Sequence, residues 1–193
     1  MDSLLANKWN HLYSQSSPVF SAATQVLTEN DFLLPTTGIA LDLASGWGAN
    51  AIYLAQRGLA VTALDISFIA IDKLTTYTAQ QGLNINARQE KITPKSFTKC
   101  HFDVIVVSRF LDRTLSDAII DALKPNGLLF YQTFTQEKIH RNTPSNPDYL
   151  LGCGELLALF SRLNVVFYRE NASIGDTLCG LRDEAQFVGQ KLI

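Results

Sequence analysis

The chain has 193 residues, of which 47% are hydrophobic, and its formal net charge is −2 at pH 7. This length and composition fit one globular domain of ordinary size with enough apolar residues for a core. A net charge so close to zero gives no reason to predict electrostatic binding to nucleic acid, and it leaves room for a small basic patch.

Cysteine usage and the N-terminal residues bear on the cellular compartment. The three cysteines, Cys100, Cys153 and Cys179, are far apart and lack the spacing of a metal site. Their odd number and their scatter favour a reducing, cytoplasmic setting. Residues 1–10 are polar and amphipathic, so we expect no signal peptide or membrane span there.

The first thirty residues predict two helices. Apolar residues recur at roughly helical spacing between Asp2 and Leu12. Ser17 and Pro18 are typical of an N-cap followed by proline at the first helical position, which predicts a second helix that runs to about Asn30.

From Ile39 onward, predicted strands alternate with predicted helices. After a first strand that begins at Ile39, we expect strands at 60–65, 84–89, 102–107, 128–134, 165–169 and 185–192. We expect helices at 49–57, 67–81, 114–123 and 155–162, and a turn at Pro125-Asn126-Gly127 before the fifth strand. This alternation predicts a largely parallel sheet covered by helices on both faces.

The stretch from Ile39 to Asn50 is the centre of the predicted fold. A short apolar run leads into Gly46-x-Gly48, and an alanine-rich helical stretch follows. Glycine allows a positive φ and lets a ligand approach the main chain closely. The first N–H groups of the next helix have no partner inside it, so they face the turn. The pattern therefore predicts a site for a nucleotide-like ligand.

Asp42 narrows the kind of ligand. It lies at the end of the predicted buried strand, four residues before Gly46. A buried carboxylate is costly unless something pairs with it, and it would repel a phosphate bound at the turn. A ligand with an ammonium group would be favoured instead. The alternative is that Asp42 only caps an ordinary strand–helix turn.

Asp65 is the second acidic anchor. It ends the predicted second strand, 17 residues after Gly48, close to the spacing of about 20 at which dinucleotide sites place a ribose-binding acid. A carboxylate accepts two hydrogen bonds from a vicinal diol, and Ile66 would flank the adenine. The alternative is an aspartate that serves the N-terminus of the next helix.

An acidic residue before Gly-x-Gly, with a second acid ending the next strand, resembles motif I of the class I S-adenosylmethionine (SAM)-dependent methyltransferases. The resemblance implies a Rossmann-like α/β fold, doubly wound, with a mostly parallel seven-stranded sheet, helices on both faces and an antiparallel last strand. It also implies one methyltransferase domain over residues 1–193, in which 1–30 form a helical lid. SAM would be the cofactor and S-adenosylhomocysteine the product.

Three further stretches resemble a bacterial subgroup of small methyltransferases often labelled tellurite-resistance-like. They are Val107–Leu111 followed by Arg113, Gln132–Thr135, and Asn146–Leu156. The chain departs from that subgroup at Asp112 and Cys153, where members more often have His and Pro.

The resemblance implies a set of cofactor-binding residues in the glycine turn, at the following strand ends and in the N-terminal helix. They are Asp42, Ala44, Ser45, Gly46, Trp47, Gly48, Asn50, Asp65, Ile66, Gln89, Glu90, Ser108, Arg109, Phe110, Trp9 and Tyr13. Trp9 and Tyr13 resemble a Trp-Asp-x-x-Tyr element that folds over the cofactor, with Asn10 in place of the Asp. The alternative for that pair is a core-packing stripe.

The sequence leaves the acceptor open. Tyr13, Arg109 and His140 are candidates for contact with it, and no catalytic residue or metal ligand is predicted. The Asp/Asn-Pro-Pro-Tyr tetrapeptide of enzymes that methylate amide or base nitrogens is missing after the fourth strand, which favours a small-molecule acceptor. We expect no nucleic-acid or membrane partner, and a monomer or homodimer.

Two other functions stay open. Gly46-x-Gly48-x-x-Ala51 with Asp65 also matches the fingerprint of a nicotinamide-dependent oxidoreductase. Asp42 before the glycines and the lack of a second domain argue against it. A SAM-binding module without enzymatic activity is the other alternative.

Overall fold

Seven strands form one sheet in the computed structural model, which describes residues 2–18, 20, 23–140 and 144–193. In sequence order they are β1 Gly38–Leu43, β2 Leu59–Asp65, β3 Ile85–Gln89, β4 Phe102–Ser108, β5 Leu123–Phe134, β6 Asn164–Glu170 and β7 Glu184–Gln190. Their order across the sheet is β3-β2-β1-β4-β5-β7-β6, and β7 runs antiparallel to both of its neighbours. The predicted mostly parallel sheet with an antiparallel last strand is confirmed.

Six α-helices accompany the sheet in the described ranges: α1 Asp2–Ser14, α2 Gln25–Glu29, α3 Ala49–Gln56, α4 Phe68–Gln81, α5 Ser116–Ala122 and α6 Glu155–Leu159. Neighbouring strand residues enter opposite apolar clusters: Leu41 joins Ile119 of α5 on one face, and Ala40 joins Leu54 of α3 on the other. This division confirms that helices cover both faces of the sheet. In the part of the chain that the structure describes, no helix combines the length and the apolar character that crossing a bilayer requires.

The functional edge of the sheet follows from strand direction. The carboxyl ends of β1, β2, β4 and β5 lie at the same edge because these strands are parallel. β7 is antiparallel, so its first residue, Glu184, lies at that edge as well, opposite Phe134 at the end of β5. Ligands of open α/β sheets bind at the carboxyl edge, so this edge is where a site is expected.

The predicted second helix is wrong over most of its length. Among the described residues between Ser17 and Asn30, only Gln25–Glu29 form an α-helix, and the predicted positions 19, 21 and 22 lie outside the described residues. Thr24 is extended, and its N–H and hydroxyl both donate to Asn50 Oδ1, at 2.8 and 3.1 Å. These bonds tie the segment to the start of α3, which local sequence preference could not reveal.

The predicted turn at Pro125-Asn126-Gly127 does not separate α5 from β5. The strand begins at Leu123, and the three residues lie within it. Asn126 adopts a left-handed φ of 65°, and the pairing of β5 with β4 shifts register between Phe102 and Val104. The turn-forming residues therefore produce an irregularity in the strand rather than a break.

Candidate functional site

A cavity of about 980 Å³ lies at the carboxyl edge of the sheet. Twelve of the sixteen residues predicted to bind the cofactor line it: Trp9, Tyr13, Ala44, Ser45, Gly46, Trp47, Asn50, Asp65, Ile66, Ser108, Arg109 and Phe110. The structure thus brings the N-terminal helix, the glycine turn and the ends of β2 and β4 around one space. A cavity of this volume is at the upper end of the range for small-molecule sites.

Asp65 joins the glycine turn to the start of α4. Its Oδ2 accepts the Gly46 N–H at 2.9 Å and its Oδ1 accepts the Ser67 N–H at 2.8 Å. Ser67 in turn caps α4 by accepting the Ala70 N–H at 3.3 Å. Burial raises the pKa of Asp65 against the lowering effect of these backbone bonds. Each carboxylate oxygen has two lone pairs, so Asp65 retains acceptor capacity toward a ligand in the cavity.

Asp42 lies behind the glycine turn and does not line the cavity. It is fully buried, and its Oδ2 accepts the N–H of Ala51, the third residue of α3, at 3.0 Å. Its Oδ1 faces Asn50 Nδ2 at 3.5 Å. These contacts correspond to the alternative in which Asp42 caps the strand–helix turn. Direct contact with an ammonium group is not available to its carboxylate in this structure.

Asn50 lines the cavity and connects three segments of the chain there. Its side-chain amide donates to Ser108 Oγ at 3.2 Å, while its Oδ1 accepts the two bonds from Thr24. The helix start, the end of β4 and the segment before α2 are therefore fixed relative to one another. Because Asn50 is buried, these hydrogen bonds also satisfy polar groups that water does not reach.

The N-terminal helix covers the glycine turn through aromatic contacts. Tyr13 packs edge-on against Trp47, with ring centroids 4.7 Å apart, and Trp9 lies 6.0 Å from Tyr13. A Cβ added to Gly46 would lie only 2.5 Å from the Tyr13 hydroxyl oxygen. Burial, followed by the negative charge of Asp65, raises the pKa of Tyr13. Tyr13 therefore presents a protonated hydroxyl at the turn.

Five predicted site residues lie outside the cavity lining: Asp42, Gly48, Gln89, Glu90 and His140. The side-chain amide of Gln89 donates to the Ile66 carbonyl at 3.2 Å, and Glu90 lies 3.7 Å from Arg88 in an ion pair. Lys91 and Ile92, two residues further along, line the cavity in their place. The cavity lining therefore begins one residue beyond the predicted pair Gln89 and Glu90, although the predicted end of β3 at Gln89 agrees with the structure.

His140 lies beside a second cavity of about 450 Å³. Its Nδ1 is 2.5 Å from Asp183 Oδ2, and the lining residues Gln25, Leu181 and Arg182 are common to both cavities. Arg182 donates to five backbone carbonyls of residues 171–179, which fixes the segment before β7. His140 is thus near the main site without lining it.

Sequence reasoning missed the part of the cavity formed by β5 and β7. Gln132, Phe134 and Glu184 line it. Gln132 and Glu184 are both almost fully buried, and the Gln132 side-chain amide donates to Glu184 Oε2. The start of β7 carries no motif, so only the antiparallel pairing with β5 shows that Glu184 belongs to this edge.

Known proteins resemble the central part of the chain in sequence. A family model described as a methyltransferase domain matches residues 40–127. The chain is 31% identical over 106 residues to a ubiquinone biosynthesis O-methyltransferase of Actinobacillus pleuropneumoniae serotype 7 (strain AP76), a match that covers 50% of this chain and 45% of that protein. The chain thus spans less than half the length of the curated relatives it matches.

Solved structures resemble nearly the whole chain. TehB from Haemophilus influenzae superimposes with a TM-score of 0.71 at 19% identity, covering 95% of this chain and 67% of that chain. A SAM-dependent methyltransferase from Methanosarcina mazei superimposes with a TM-score of 0.66 at 20% identity, covering 89% and 99%. At these identities the likeness shows a shared fold.

The sheet order and the glycine turn define a Rossmann-like fold with a cavity at the carboxyl edge of its sheet. The family match extends from β1 through the glycine turn to the start of β5, the region that forms most of the cavity. Residues 40–127 therefore resemble a methyltransferase domain, and the chain shares its fold with solved structures that include a SAM-dependent methyltransferase.

The residues at the glycine turn are compatible with SAM as a ligand. The Ser45 hydroxyl lines the cavity, is buried and makes no hydrogen bond to any described residue. A buried hydroxyl without a partner is costly, so a ligand that bonds to it is favoured. Gly46, with a φ of 53°, leaves its backbone open toward the same space, and Asp65 offers carboxylate lone pairs to hydroxyl groups.

We expect the Gly46→Ala substitution to be coupled energetically to Tyr13. The added methyl would meet the Tyr13 hydroxyl, and α1 would have to shift. Tyr13→Phe removes that oxygen, so the double variant should recover about 0.5–2 kcal/mol in a double-mutant cycle of urea unfolding. Gly154→Ala is the control, because Gly154 also has a positive φ but nothing within 4 Å of an added Cβ. If the changes in the free energy of unfolding from Gly46→Ala and Tyr13→Phe are strictly additive, Tyr13 does not contact the glycine turn.

We expect Asp42→Asn to change the pH dependence of stability. Burial raises the pKa of Asp42 from 3.8 to about 7 in the folded protein. Between these values the folded state binds more protons than the unfolded state, so the wild type loses stability as pH rises from about 4 to 7. Relative to wild type, the variant should gain up to about 4 kcal/mol across this window and then level off. Parallel pH slopes in urea unfolding of the two proteins would contradict this.

Proposed function

We propose that this protein transfers the methyl group of SAM to a small-molecule acceptor by in-line displacement. The observation that carries the proposal is one continuous cavity that extends from the glycine turn and Asp65 to Glu184 on β7. Its volume of about 980 Å³ suits a cofactor together with a small acceptor. The two ligands would then meet inside the protein rather than at its surface.

When bound, SAM supplies a methyl group that its sulfonium already makes electrophilic. The contribution of the protein is then to bind, align and exclude water. Asp65 would accept hydrogen bonds from the ribose, Ile66 would flank the adenine, and Gly46 would let the backbone approach the ligand. Asp42 would act through α3, which it holds in place.

Oxygen is the favoured acceptor atom, because the curated relatives are named as O-methyltransferases. Coverage of the cavity by α1 and by residues 181–184 supports a small molecule rather than a nucleic acid or another macromolecule. We place the protein in the cytoplasm, as a monomer or homodimer, and its three exposed free cysteines are compatible with a reducing compartment.

Of the first thirty residues, 1–16 are proposed to act as a lid within a single domain, whereas Thr24 and Val26 are held by Asn50 and Gln132. Leu5, Trp9 and Tyr13 of α1 line the cavity, whereas Leu4 and Leu12 remain exposed. The Asn10 side-chain oxygen accepts the Ser67 hydroxyl at 2.7 Å, which links α1 to the residue that caps α4. A helix that buries so few of its apolar residues is bound weakly enough to open and close.

We expect Asp65→Asn to weaken S-adenosylhomocysteine binding by about 1–3 kcal/mol, because the amide replaces one of the two acceptor oxygens with an NH2 donor. Isothermal titration calorimetry measures the loss. Asp103→Asn is the matched control: Asp103 also accepts a backbone N–H, that of Ile39, but lies outside the cavity. Similar affinities for both variants would remove Asp65 from the ribose site.

Hydrogen exchange tests the lid. We expect amides of residues 5–14 to exchange quickly in the free protein and more slowly once S-adenosylhomocysteine is added, because the ligand gives Trp9 and Tyr13 a surface to cover. Amides of α4 should be protected in both states, since that helix packs directly on β2 and β3. If the exchange rates of residues 5–14 are the same with and without S-adenosylhomocysteine, α1 is a fixed part of the domain and not a lid.

A further inference from the structure

Glu184 occupies an unusual position for a carboxylate. Its side chain is only 9% exposed, yet it lines the main cavity. The antiparallel direction of β7 puts it at the carboxyl edge of the other strands, opposite Phe134. A buried charge is costly unless hydrogen bonds hold it, and such groups are often functional.

Two side chains fix the Glu184 carboxylate. Arg109 Nε donates to Oε1 at 3.3 Å, and the Gln132 side-chain amide donates to Oε2. Gln132 is itself oriented, because its Oε1 accepts the Val26 N–H at 2.8 Å and the Gln186 side-chain amide at 3.1 Å. These contacts use one lone pair on each oxygen of Glu184 and leave two lone pairs for a group in the cavity.

Arg109 reaches Glu184 from a backbone conformation that most residues avoid. Its φ is 51°, and its N–H donates to the Gln132 carbonyl at 2.8 Å at the end of β4. Non-glycine residues in this region cost of order 1 kcal/mol or more and tend to occur at functional sites. The strained residue and the oriented glutamine therefore converge on one carboxylate.

Strand spacing separates the two ends of the cavity. Asp65 ends β2, and Glu184 begins β7, four strands away in the sheet order. At about 4.8 Å per strand, the two positions are roughly 19 Å apart. With the ribose at Asp65, the acceptor falls at the β4–β5–β7 end. Phe110 and Phe134 line that end and offer flat apolar surfaces to an aromatic ring.

We propose that Glu184 is the catalytic base for a phenolic acceptor, that is, a small aromatic compound whose hydroxyl receives the methyl group. This inference rests on the proposed function. The acceptor oxygen forms a bond to the methyl carbon, and the carbon–sulfur bond breaks with its electron pair going to sulfur. The hydroxyl proton passes to a Glu184 oxygen and then to water, which leaves the methyl ether and S-adenosylhomocysteine.

Two other groups are less suited to this role. Asp112 lines the cavity but is exposed, and its Oδ1 already accepts both the N–H and the hydroxyl of Thr114. His140 is held by Asp183, but it lines the neighbouring cavity. At the β4–β5–β7 end of the main cavity, Glu184 combines burial with a fixed orientation.

The test compares two probes that differ in the acidity of their hydroxyl. Catechol keeps its proton at neutral pH and needs a base, whereas 4-nitrocatechol ionises near neutral pH and needs none. In Glu184→Gln, kcat/KM for catechol should fall about 10²-fold or more, the usual size of a general-base contribution. The fall for 4-nitrocatechol should be less than about 10-fold on the same scale. Glu170→Gln is the control, because Glu170 lies on β6 outside the cavity and should leave both rates unchanged.

Calorimetry keeps the outcomes distinct. S-adenosylhomocysteine should bind wild type and Glu184→Gln alike, and catechol should bind the S-adenosylhomocysteine-loaded wild type. Equal losses on both probes, or an acidity-dependent loss in Asp112→Asn instead, would overturn the role of Glu184. Tight S-adenosylhomocysteine binding without catechol binding or turnover would overturn the phenolic acceptor but leave the methyltransferase proposal standing. Absence of S-adenosylhomocysteine binding to wild type would count against the proposed function itself.

Should Glu184→Gln not fold, Glu184→Asp replaces it in the test. This variant keeps the base, so its kcat/KM should show no preferential loss on catechol.

Discussion

The carboxylate of Asp65 links three segments of the chain at the end of the cavity that the glycine turn forms. Asp65 accepts the N–H of Gly46 from the glycine turn and the N–H of Ser67 from the start of α4. Ser67 then donates to Asn10, so the position of α1 also depends on this carboxylate. A single buried acid thereby links the turn, a helix start and the N-terminal helix, and each of its oxygens keeps a lone pair that these bonds do not use.

Two buried acids make this edge of the sheet sensitive to charge. Burial raises the pKa of both Asp42 and Asp65. Backbone N–H groups offset part of that cost, from Ala51 for Asp42 and from Gly46 and Ser67 for Asp65. At the other end of the cavity, the Arg109 guanidinium and the Gln132 side-chain amide donate hydrogen bonds to Glu184.

Local signals made much of the fold and of the cofactor end predictable. The helix predicted at 67–81 agrees with the structure, in which Ser67 caps its start and Gly82, with a left-handed φ, ends it. Both are short-range causes, as is the apolar character of the strands. The helix predicted from Ser17 failed because Asn50, far along the chain, binds Thr24 in an extended conformation. Glu184 could not be found from the sequence, since its place depends on the direction of β7 and on partners 52 and 75 residues away.

The most direct test of the central claim, that the glycine turn and Asp65 form a SAM site, is thermal unfolding with parallel ligands. SAM, S-adenosylhomocysteine and NAD would be added at the same concentration to the full chain. A ligand that binds only the folded state adds about 2.7 kcal/mol to the free energy of unfolding when its concentration is a hundred times its dissociation constant. The midpoint temperature of unfolding rises accordingly. We expect SAM and S-adenosylhomocysteine to raise it and NAD to leave it unchanged. A rise with NAD alone, or with none of the three, would contradict the account.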